Sequence, residues 1–403
     1  MASALAEINL HMPYNFDQLI NRRIAGTVNK WTYYPEGTLP MWVADMDFVS
    51  PRAVIQALRE KVEHGIFGYE LPSPELIAVV CERMERLYGW VVAPEQVITL
   101  PGLVTGINVV CRAIGGPGDG VLMQTPAYPP FLSAPKNNGR VMQDAPLTYV
   151  SDGDYTFHYE IDFDAFEAAI QENTRLFLLC HPHNPAGQVY TPQQLTRMAE
   201  ICLRRDIVIC SDEIHSELLL DDIEHVPLAT LSPEIADRTI TLIAPSKTFN
   251  IAGLGCSFAI VANPDLRQQM HAAAEGLVPL VNAMGLAAAF AAFRDDPDTN
   301  EWLSSLRQYL KTNRDTLLDY VTTQLPDVKT TIPQATYLAW LDCHQAGIEG
   351  NPYDFFLQKA KVAFNDGATF GPRGQGFVGL NFGCPRSLLL QALEQTKAAL
   401  QDE

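Results

Sequence analysis

Hydrophobic and polar residues alternate over residues 49–265 with two periods that follow one another along the chain. Apolar and often β-branched runs at 174–180, 207–213 and 239–244 predict buried strands. Residues 191–206 lie between the first two runs and have the period of an amphipathic helix. Strands that alternate with helices in this way predict an α/β fold with a mainly parallel sheet.

Further elements are predicted on either side of these strands. Residues 50–65 predict a helix with Ser50 as its N-cap, Pro51 in its first turn and Gly65 just after its end. The Ala-rich segment 268–315 predicts one or two long helices that join this part to a smaller α+β unit with the strands "TYLAWLD" and "GFVGLNFG". We therefore predict a large domain over residues 49–291 and a small domain from residues 1–48 and 292–403.

Composition excludes several kinds of partner. The net charge of −19 argues against nucleic acid and anionic membranes, because both attract clustered Lys and Arg. No apolar run reaches the length of a membrane span, and no cationic stretch of a signal peptide is apparent at the N-terminus. The eight cysteines stand singly in apolar runs, which is typical of a reduced chain. We expect a cytoplasmic protein that acts on a small molecule.

Polar clusters follow the predicted strands at four places. They are "LPGLVTG" (100–106), "CHPHNPAG" (180–187), "CSDEIH" (210–215) and "APSKTFN" (244–250). Ligands of open α/β sheets bind outside the carboxyl ends of the strands. Each cluster alone is typical of an ordinary loop, whereas the four together predict a ligand site. The histidines 181, 183 and 215 have no cysteine or carboxylate pattern beside them, so we expect no metal there.

Two charged residues in these clusters need partners. Asp212 directly follows the apolar run "IVIC", and Lys247 follows a buried strand with no acidic residue beside it in sequence. A buried charge without a partner is costly, so one interpretation is a simple Asp–Lys ion pair. The other is that Lys247 forms a Schiff base with an aldehyde while Asp212 pairs with a protonated ring nitrogen. Backbone amides at the helix that begins after Gly102 predict an anion site nearby.

These motifs resemble a known family. "HNPAG", "SDEIH" and "PSKTFNIAGLG", in that order, are similar to the fold-type I pyridoxal-phosphate enzymes of the class I/II aminotransferase superfamily. "PMWVADMDF" and "TPAYPPF" resemble its cystathionine β-lyase branch, which includes the maltose-regulon modulator type. The resemblance implies the PLP-transferase fold, the cofactor pyridoxal 5′-phosphate, and a homodimer with composite active sites.

The resemblance also implies a role for each matching residue. Lys247 is implied to hold the cofactor as a Schiff base and to act as the catalytic base, and Asp212 to keep the ring nitrogen protonated. The other implied cofactor contacts are a hydrogen bond from Asn184, stacking by Tyr128, His215 beside the ring, Gly102, Leu103, Val104 and Ser246 on the phosphate, and Tyr69 of the partner subunit. The implied substrate contacts are Arg386 on the α-carboxylate, with Ala44 and Tyr337 close by.

Arg386 has support of its own. It lies in the first turn of a predicted helix, where a cation opposes the helix dipole by about 0.3–1 kcal/mol. One interpretation is an exposed surface arginine, but a role as a bidentate carboxylate clamp suits this position better.

The chain departs from the family pattern at a few positions. His215 stands three residues after Asp212, where ordinary aminotransferases carry tyrosine and the lyase branch carries histidine. Ala244 replaces the serine of the Ser-x-x-Lys pattern, and no arginine follows in "IAGLGCSF", so a weaker phosphate cradle is implied. Ala335 stands where the branch usually has glycine.

Three functions are therefore compared. The preferred one is a carbon–sulfur β-lyase that cleaves cystathionine or another S-substituted cysteine to pyruvate, ammonia and a thiol. The second is an aminotransferase, in which Lys247 returns the proton to the cofactor. The third is a regulator that binds another protein, which the intact lysine disfavours as a sole function.

Overall fold

The structure is a computed structural model that describes residues 14–401. Its α-helices are α1 Arg52–His64, α2 Pro74–Tyr88, α3 Leu103–Ala113, α4 Pro129–Asn137, α5 Phe163–Ala168, α6 Pro192–Arg204, α7 Pro233–Asp237, α8 Pro245–Thr248, α9 Pro264–Ala274, α10 Ala283–Phe293, α11 Pro297–Gln324, α12 Pro352–Phe355 and α13 Arg386–Gln401. Its strands are β1 Leu39–Pro40, β2 Val97–Leu100, β3 Gly120–Met123, β4 Val141–Asp144, β5 Thr148–Ser151, β6 Phe157–Glu160, β7 Thr174–Cys180, β8 Val208–Asp212, β9 Thr239–Ile243, β10 Ser257–Val261, β11 Lys329–Thr330, β12 Leu338–Asp342, β13 Val362–Ala363, β14 Asn365–Asp366 and β15 Phe377–Asn381.

A seven-stranded sheet in the order β2-β10-β9-β8-β7-β3-β4 forms the centre of the first two thirds of the chain. Its strands pair in parallel from β9 to β4, and β10 runs antiparallel to both of its neighbours. The prediction of a mainly parallel α/β sheet is confirmed.

The two faces of this sheet are covered by different helices. Leu176 and Leu178 of β7 point into a core with α3 and α9, whereas Phe177 and Leu179 point into a second core with α6 and α7. Successive side chains of a strand alternate between faces, so a strand buried on both sides is apolar throughout. This explains why the run 174–180 shows no polar alternation.

The last third of the chain forms a smaller antiparallel sheet in the order β11-β12-β15-β14. Its strands carry the predicted "TYLAWLD" and "GFVGLNFG" segments, and the long helix α11 packs against α13 beside it. The early strand β1 pairs in parallel with β13, so the N-terminal segment is bound to the C-terminal unit. The residue boundaries of the two predicted domains stay a prediction.

Two predicted helix boundaries are wrong. Pro51, not Ser50, occupies the N-cap of α1, and the Ser50 hydroxyl donates instead to the Asn250 carbonyl. The segment 268–315 contains the end of α9, all of α10 and most of α11 rather than one or two helices. Gly276, with φ of +68°, and Pro279 lie in the first interruption, and neither favours a continued helix.

Within residues 14–401, no helix combines the length and the apolar character that crossing a membrane requires. Part of the predicted small domain, residues 1–13 and 402–403, lies outside the described residues.

Candidate active site

A cavity of about 230 Å³ opens where strands β2, β7, β8 and β9 end. The carboxyl ends of β7 and β8 contribute Cys180 and Asp212, and the loop after β9 contributes Lys247. The full lining consists of Ala44, Pro101, Gly102, Leu103, Val104, Thr105, Tyr128, Cys180, Asn184, Asp212, Ile214, His215, Ser246, Lys247, Ala252, Gly255 and Cys256. The four predicted polar clusters thus meet at one place.

Lys247 lies in the short helix α8 directly after β9, and its side chain is partly open to the cavity. Its Nζ donates a hydrogen bond to the carbonyl oxygen of Ala44 at 2.6 Å. Burial lowers the pKa of the Lys247 amine, and the negative charges of Asp45 and Asp212 oppose that shift only in part. An amine with a lowered pKa is more readily neutral and therefore nucleophilic.

Asp212 is the last residue of β8 and is almost fully buried. Burial raises its pKa to about 7, although a hydrogen bond of 3.1 Å from the Ile214 amide to Oδ1 acts in the opposite direction. Among residues 14–401, no salt bridge joins Asp212 to Lys247 or to another cation. The interpretation as a simple Asp–Lys ion pair therefore has no support from the geometry.

The first turn of α3 forms one end of the cavity. Gly102 is its N-cap residue, and a Cβ added there would meet nothing within 4 Å. Leu103, Val104 and Thr105 follow in the first turn, where amides have no partner within the helix. Ser246 brings a hydroxyl to the same cavity. Several backbone amides and one hydroxyl in open space can bind an anion such as a phosphate.

Three residues surround the space between Lys247 and Asp212. Asn184 is buried, and its side-chain Oδ1 has no hydrogen-bond partner within the described part of the chain. Burial raises the pKa of the Tyr128 phenol. Burial, together with the positive charge of Lys247, lowers the pKa of His215 to about 3, so this imidazole is neutral at pH 7.

Ala44 lines the cavity, and Tyr337 lies behind it. The Tyr337 hydroxyl donates to the Ala44 carbonyl at 2.9 Å, so the same oxygen accepts from Tyr337 and from Lys247. Tyr337 itself is buried and is not among the residues that line the cavity. Asn381 fixes the segment around Ala44, because its Nδ2 donates to the carbonyls of Val43 and Asp45 at 2.7 Å each.

Two further predicted site residues, Arg386 and Tyr69, do not line the cavity of this single chain. The Arg386 Nε donates to Asn313 Oδ1 at 3.2 Å, and its guanidinium lies 5.0 Å from the centre of the Tyr309 ring. Arg386 is not among the residues that line the cavity, and its role as a carboxylate clamp stays a prediction. Tyr69 is 98% exposed in the loop between α1 and α2 and also does not line the cavity. Its contact with the partner subunit's cofactor stays a prediction as well.

Several site residues were not identified from the sequence. Cys180, Thr105 and Cys256 line the cavity. Asn250 does not line it but binds the nearby segment 46–48. The Asn250 side chain accepts from the Met46 amide and donates to the carbonyls of Met46 and Phe48. The one sequence signal for Asn250 is its position in "SKTFN", three residues after Lys247. The sequence does not show which groups its side-chain amide contacts.

Comparison with known proteins identifies relatives over almost the whole chain. The chain is 39% identical over 395 residues to cystathionine beta-lyase PatB of Bacillus subtilis, covering 96% of this chain and all of PatB. It is 32% identical to the protein MalY of Escherichia coli, covering 93% of this chain and 96% of MalY. The crystal structure of cystalysin from Treponema denticola, which contains a pyridoxal 5′-phosphate cofactor, superposes with a TM-score of 0.91 at 31% identity, covering 97% of this chain and all of cystalysin.

The sequence model described as aminotransferase class I and II matches residues 42–395. This match includes Ala44 and every strand of the large sheet, as well as the segments that carry Asn184, Asp212 and Lys247. The chain therefore belongs to the class I and II aminotransferase family, with the fold-type I architecture that the sequence motifs predicted.

Proposed function

We propose that this protein is a pyridoxal 5′-phosphate-dependent carbon–sulfur β-lyase, which cleaves cystathionine or another S-substituted L-cysteine to pyruvate, ammonia and a thiol. The observation that carries the proposal is that Lys247 and Asp212 line one cavity without forming a salt bridge with each other, each with a pKa shifted toward its neutral form. Relatives that are named cystathionine β-lyase or contain the cofactor support the same reaction.

The residues of the cavity fit the cofactor. Asn184 offers a buried amide with an unmet hydrogen bond, and Gly102 leaves open space at the start of α3. Asp212 is a buried carboxyl without a cation, which a protonated ring nitrogen would supply. Lys247 is the one lysine or arginine among the residues that line this cavity, and an aldehyde can react with its amine.

The reaction follows from what these side chains do. When bound, the cofactor supplies an electron-withdrawing ring that stabilises negative charge at the substrate Cα. Lys247 removes the proton from Cα, because its buried Nζ has a lowered pKa and is oriented by the Ala44 carbonyl. Asp212 would keep the ring nitrogen protonated, and a thiolate then leaves from Cβ. The neutral His215 adds no positive charge beside Lys247.

The experiment is a product assay on purified protein with L-cystathionine, with and without 2-oxoglutarate. We expect pyruvate, ammonia and free thiol in the absence of any keto acid. The second candidate is an aminotransferase, the activity after which the matching family is named. Turnover that depends strictly on 2-oxoglutarate, with glutamate as a product, would establish that function instead.

The proposed assembly is a homodimer with composite sites, and the proposed location is the cytoplasm. The loop between α1 and α2 exposes Ile66, Phe67, Tyr69 and Leu71, and Val104 at the cavity is exposed as well. Exposed apolar groups that are close in sequence favour a protein interface over solvent. A second copy of this chain is the partner that would bring Tyr69 to the phosphate end of a cavity.

A further inference from the structure

A second cavity of about 780 Å³ lies between the β5–β6 hairpin and the small sheet. It shares no lining residue with the cavity around Lys247. The hairpin contributes Tyr149 and Tyr159, and the small sheet contributes Lys329 and Phe377. Cavities of this size between packed units of a protein are typical binding places for small organic molecules.

The floor of this second cavity is aromatic and rigid. Tyr159, Phe377 and Leu147 are each less than a tenth exposed, so their positions are fixed by the core behind them. The Tyr149 ring lies at the open side, with its centre 6.2 Å from that of Tyr159 and 6.4 Å from that of Phe377. Three aromatic rings within this distance favour a planar apolar ligand over a sugar or an inorganic ion.

The two acidic residues of the second cavity, Asp162 and Asp342, already accept hydrogen bonds from neighbouring groups. Asp342 accepts hydrogen bonds from the Tyr149 hydroxyl at 2.9 Å and from the His344 Nδ1 at 2.6 Å. Asp162 caps α5 and accepts two backbone amides of that helix. Asp342, which also accepts from the His344 amide, has little remaining capacity for an ammonium group, and Asp162 uses one carboxylate oxygen on the helix cap.

The remaining polar capacity is cationic. Lys329 uses two of its three donors on the Ser151 hydroxyl and the Gly153 carbonyl. Arg373 is exposed, and within residues 14–401 it forms no hydrogen bond and no salt bridge. Burial raises the pKa of Asp144, and the positive charge of Arg373 partly opposes that rise. The two side chains nevertheless form no salt bridge. Arg373 is the one arginine that lines this cavity, and within residues 14–401 no carboxylate forms a salt bridge with it.

We propose that this second cavity binds an aromatic carboxylate. The ring of the ligand would lie against Tyr149, Tyr159 and Phe377, and its carboxylate would meet the guanidinium of Arg373. Guanidinium and carboxylate match in a two-bond geometry that neither an amide nor an amine can reproduce. The site is independent of the reaction at Lys247.

Trp340 lies directly behind the aromatic floor of the second cavity. The Trp340 Nε1 donates to the Tyr159 hydroxyl at 3.3 Å, and its ring stacks on Phe377 at 5.3 Å. Trp340 belongs to the same core cluster as Ala186, two residues after Asn184. A ligand that touches Tyr159 and Phe377 therefore changes the surroundings of Trp340, so tryptophan fluorescence can report binding.

The test is calorimetric titration of the holoenzyme with three matched probes: 3-phenylpropionate, 3-phenylpropanamide and 3-phenylpropylamine. We expect saturable binding of the carboxylate alone, with one site per chain. Arg373→Gln should weaken that binding at least tenfold, and Arg373→Lys should retain part of it. Arg112→Gln, which removes an exposed arginine on α3, serves as the control and should leave the affinity unchanged.

Two results would overturn the proposal. One is equal affinity for the amide and the carboxylate, since the carboxylate would then play no part. The other is undiminished binding by Arg373→Gln, which would place the probe elsewhere, including the Lys247 cavity. Tryptophan fluorescence provides a second measurement: emission should change on addition of 3-phenylpropionate to the wild type and stay constant in Arg373→Gln. Because Arg373 is exposed and forms no salt bridge within residues 14–401, we expect its replacement to leave the fold intact.

Discussion

Lys247 and Asp212 face one cavity, and burial moves both of their pKa values toward the neutral form from opposite sides. Each group lacks the charged partner that would restore its ordinary pKa, although they lie in the same small space. A polypeptide gains no stability from this arrangement, because the desolvation cost of the charged forms is not offset. Residues of this kind cluster at active sites, where the missing partner is the ligand.

Replacement of Asp212 by asparagine tests this arrangement in the cofactor-free protein. The folded-state pKa of about 7 lies above the ordinary value of 3.8, so between these values the folded chain binds more protons than the unfolded chain. The free energy of unfolding of the wild type must then fall as the pH rises. Asp212→Asn removes this contribution, so its stability relative to the wild type should increase from pH 4 to pH 7, by up to about 1.4 kcal/mol per pH unit.

The measurement is urea unfolding of both cofactor-free proteins across that pH range. Contributions from Lys247 and His215 are present in both proteins and largely cancel in the difference. A stability difference that does not vary with pH would show that Asp212 is ionised in the folded state. Added pyridoxal 5′-phosphate should reduce the pH dependence of the wild type, since a ring cation would partner the carboxylate.

Asn250 joins two elements of the site. It follows α8 with a positive φ of +56°, and its side chain holds residues 46–48 against the turn that carries Lys247. Asparagine tolerates this left-handed conformation better than most residues, and its amide can both donate and accept. The adjacent Ser50 hydroxyl also bonds to the Asn250 carbonyl, which removes Ser50 from the helix cap that the sequence predicts.

The contribution of Asn250 can be separated into conformation and hydrogen bonding. Asn250→Gly loses the three side-chain bonds, at about 1 kcal/mol each, but keeps the left-handed backbone. Asn250→Ala loses the same bonds and also adds about 1–2 kcal/mol for the left-handed conformation. We therefore expect both variants to unfold at lower urea concentration, Ala before Gly. Equal stability of Asn250→Ala and the wild type would show that the three Asn250 hydrogen bonds do not stabilise the fold.

The central strands and helices of the fold are predictable from the sequence. The contacts between residues that are distant in the chain are not. Strands β7 and β8 and the helix α6 with its Thr191 cap follow from local apolar patterns and capping residues. The orientation of Arg386 depends on Asn313 and Tyr309, which lie more than seventy residues away in the chain. Local patterns carry no information on such partners. The motif of Ala44 predicts its place near the site, but its two hydrogen bonds come from Lys247 and Tyr337, which are far from it in the chain.

At the scale of the whole molecule, the composite site makes a prediction about mixed dimers. If Tyr69 of the partner subunit completes each cavity, then Lys247→Ala and Tyr69→Ala damage different halves of the same site. A heterodimer of the two variants would carry one doubly altered site and one intact site. Refolding an equal mixture should restore about a quarter of wild-type activity, because half the dimers are mixed and each has one working site.

The control for this mixing experiment is the refolding of each variant alone, which should give no such recovery. Sedimentation of the wild type should show a dimer at the assay concentration. An active, cofactor-loaded monomer would contradict the composite site, as would an unchanged cofactor affinity in Tyr69→Ala.

The segment around Ala44 lies near the start of the chain, but contacts with residues near its end hold it in position. Asn381 holds both neighbours of Ala44, and β1 pairs with β13, so this wall stands only when the C-terminal unit is present. During synthesis on a ribosome, Asp212 and Lys247 emerge long before Asn381. The nascent chain thus carries its reactive amine for more than a hundred residues of elongation without the carbonyl that orients it. We therefore expect the cofactor to reach its final geometry only after Asn381 has been synthesised and has folded against residues 43–45.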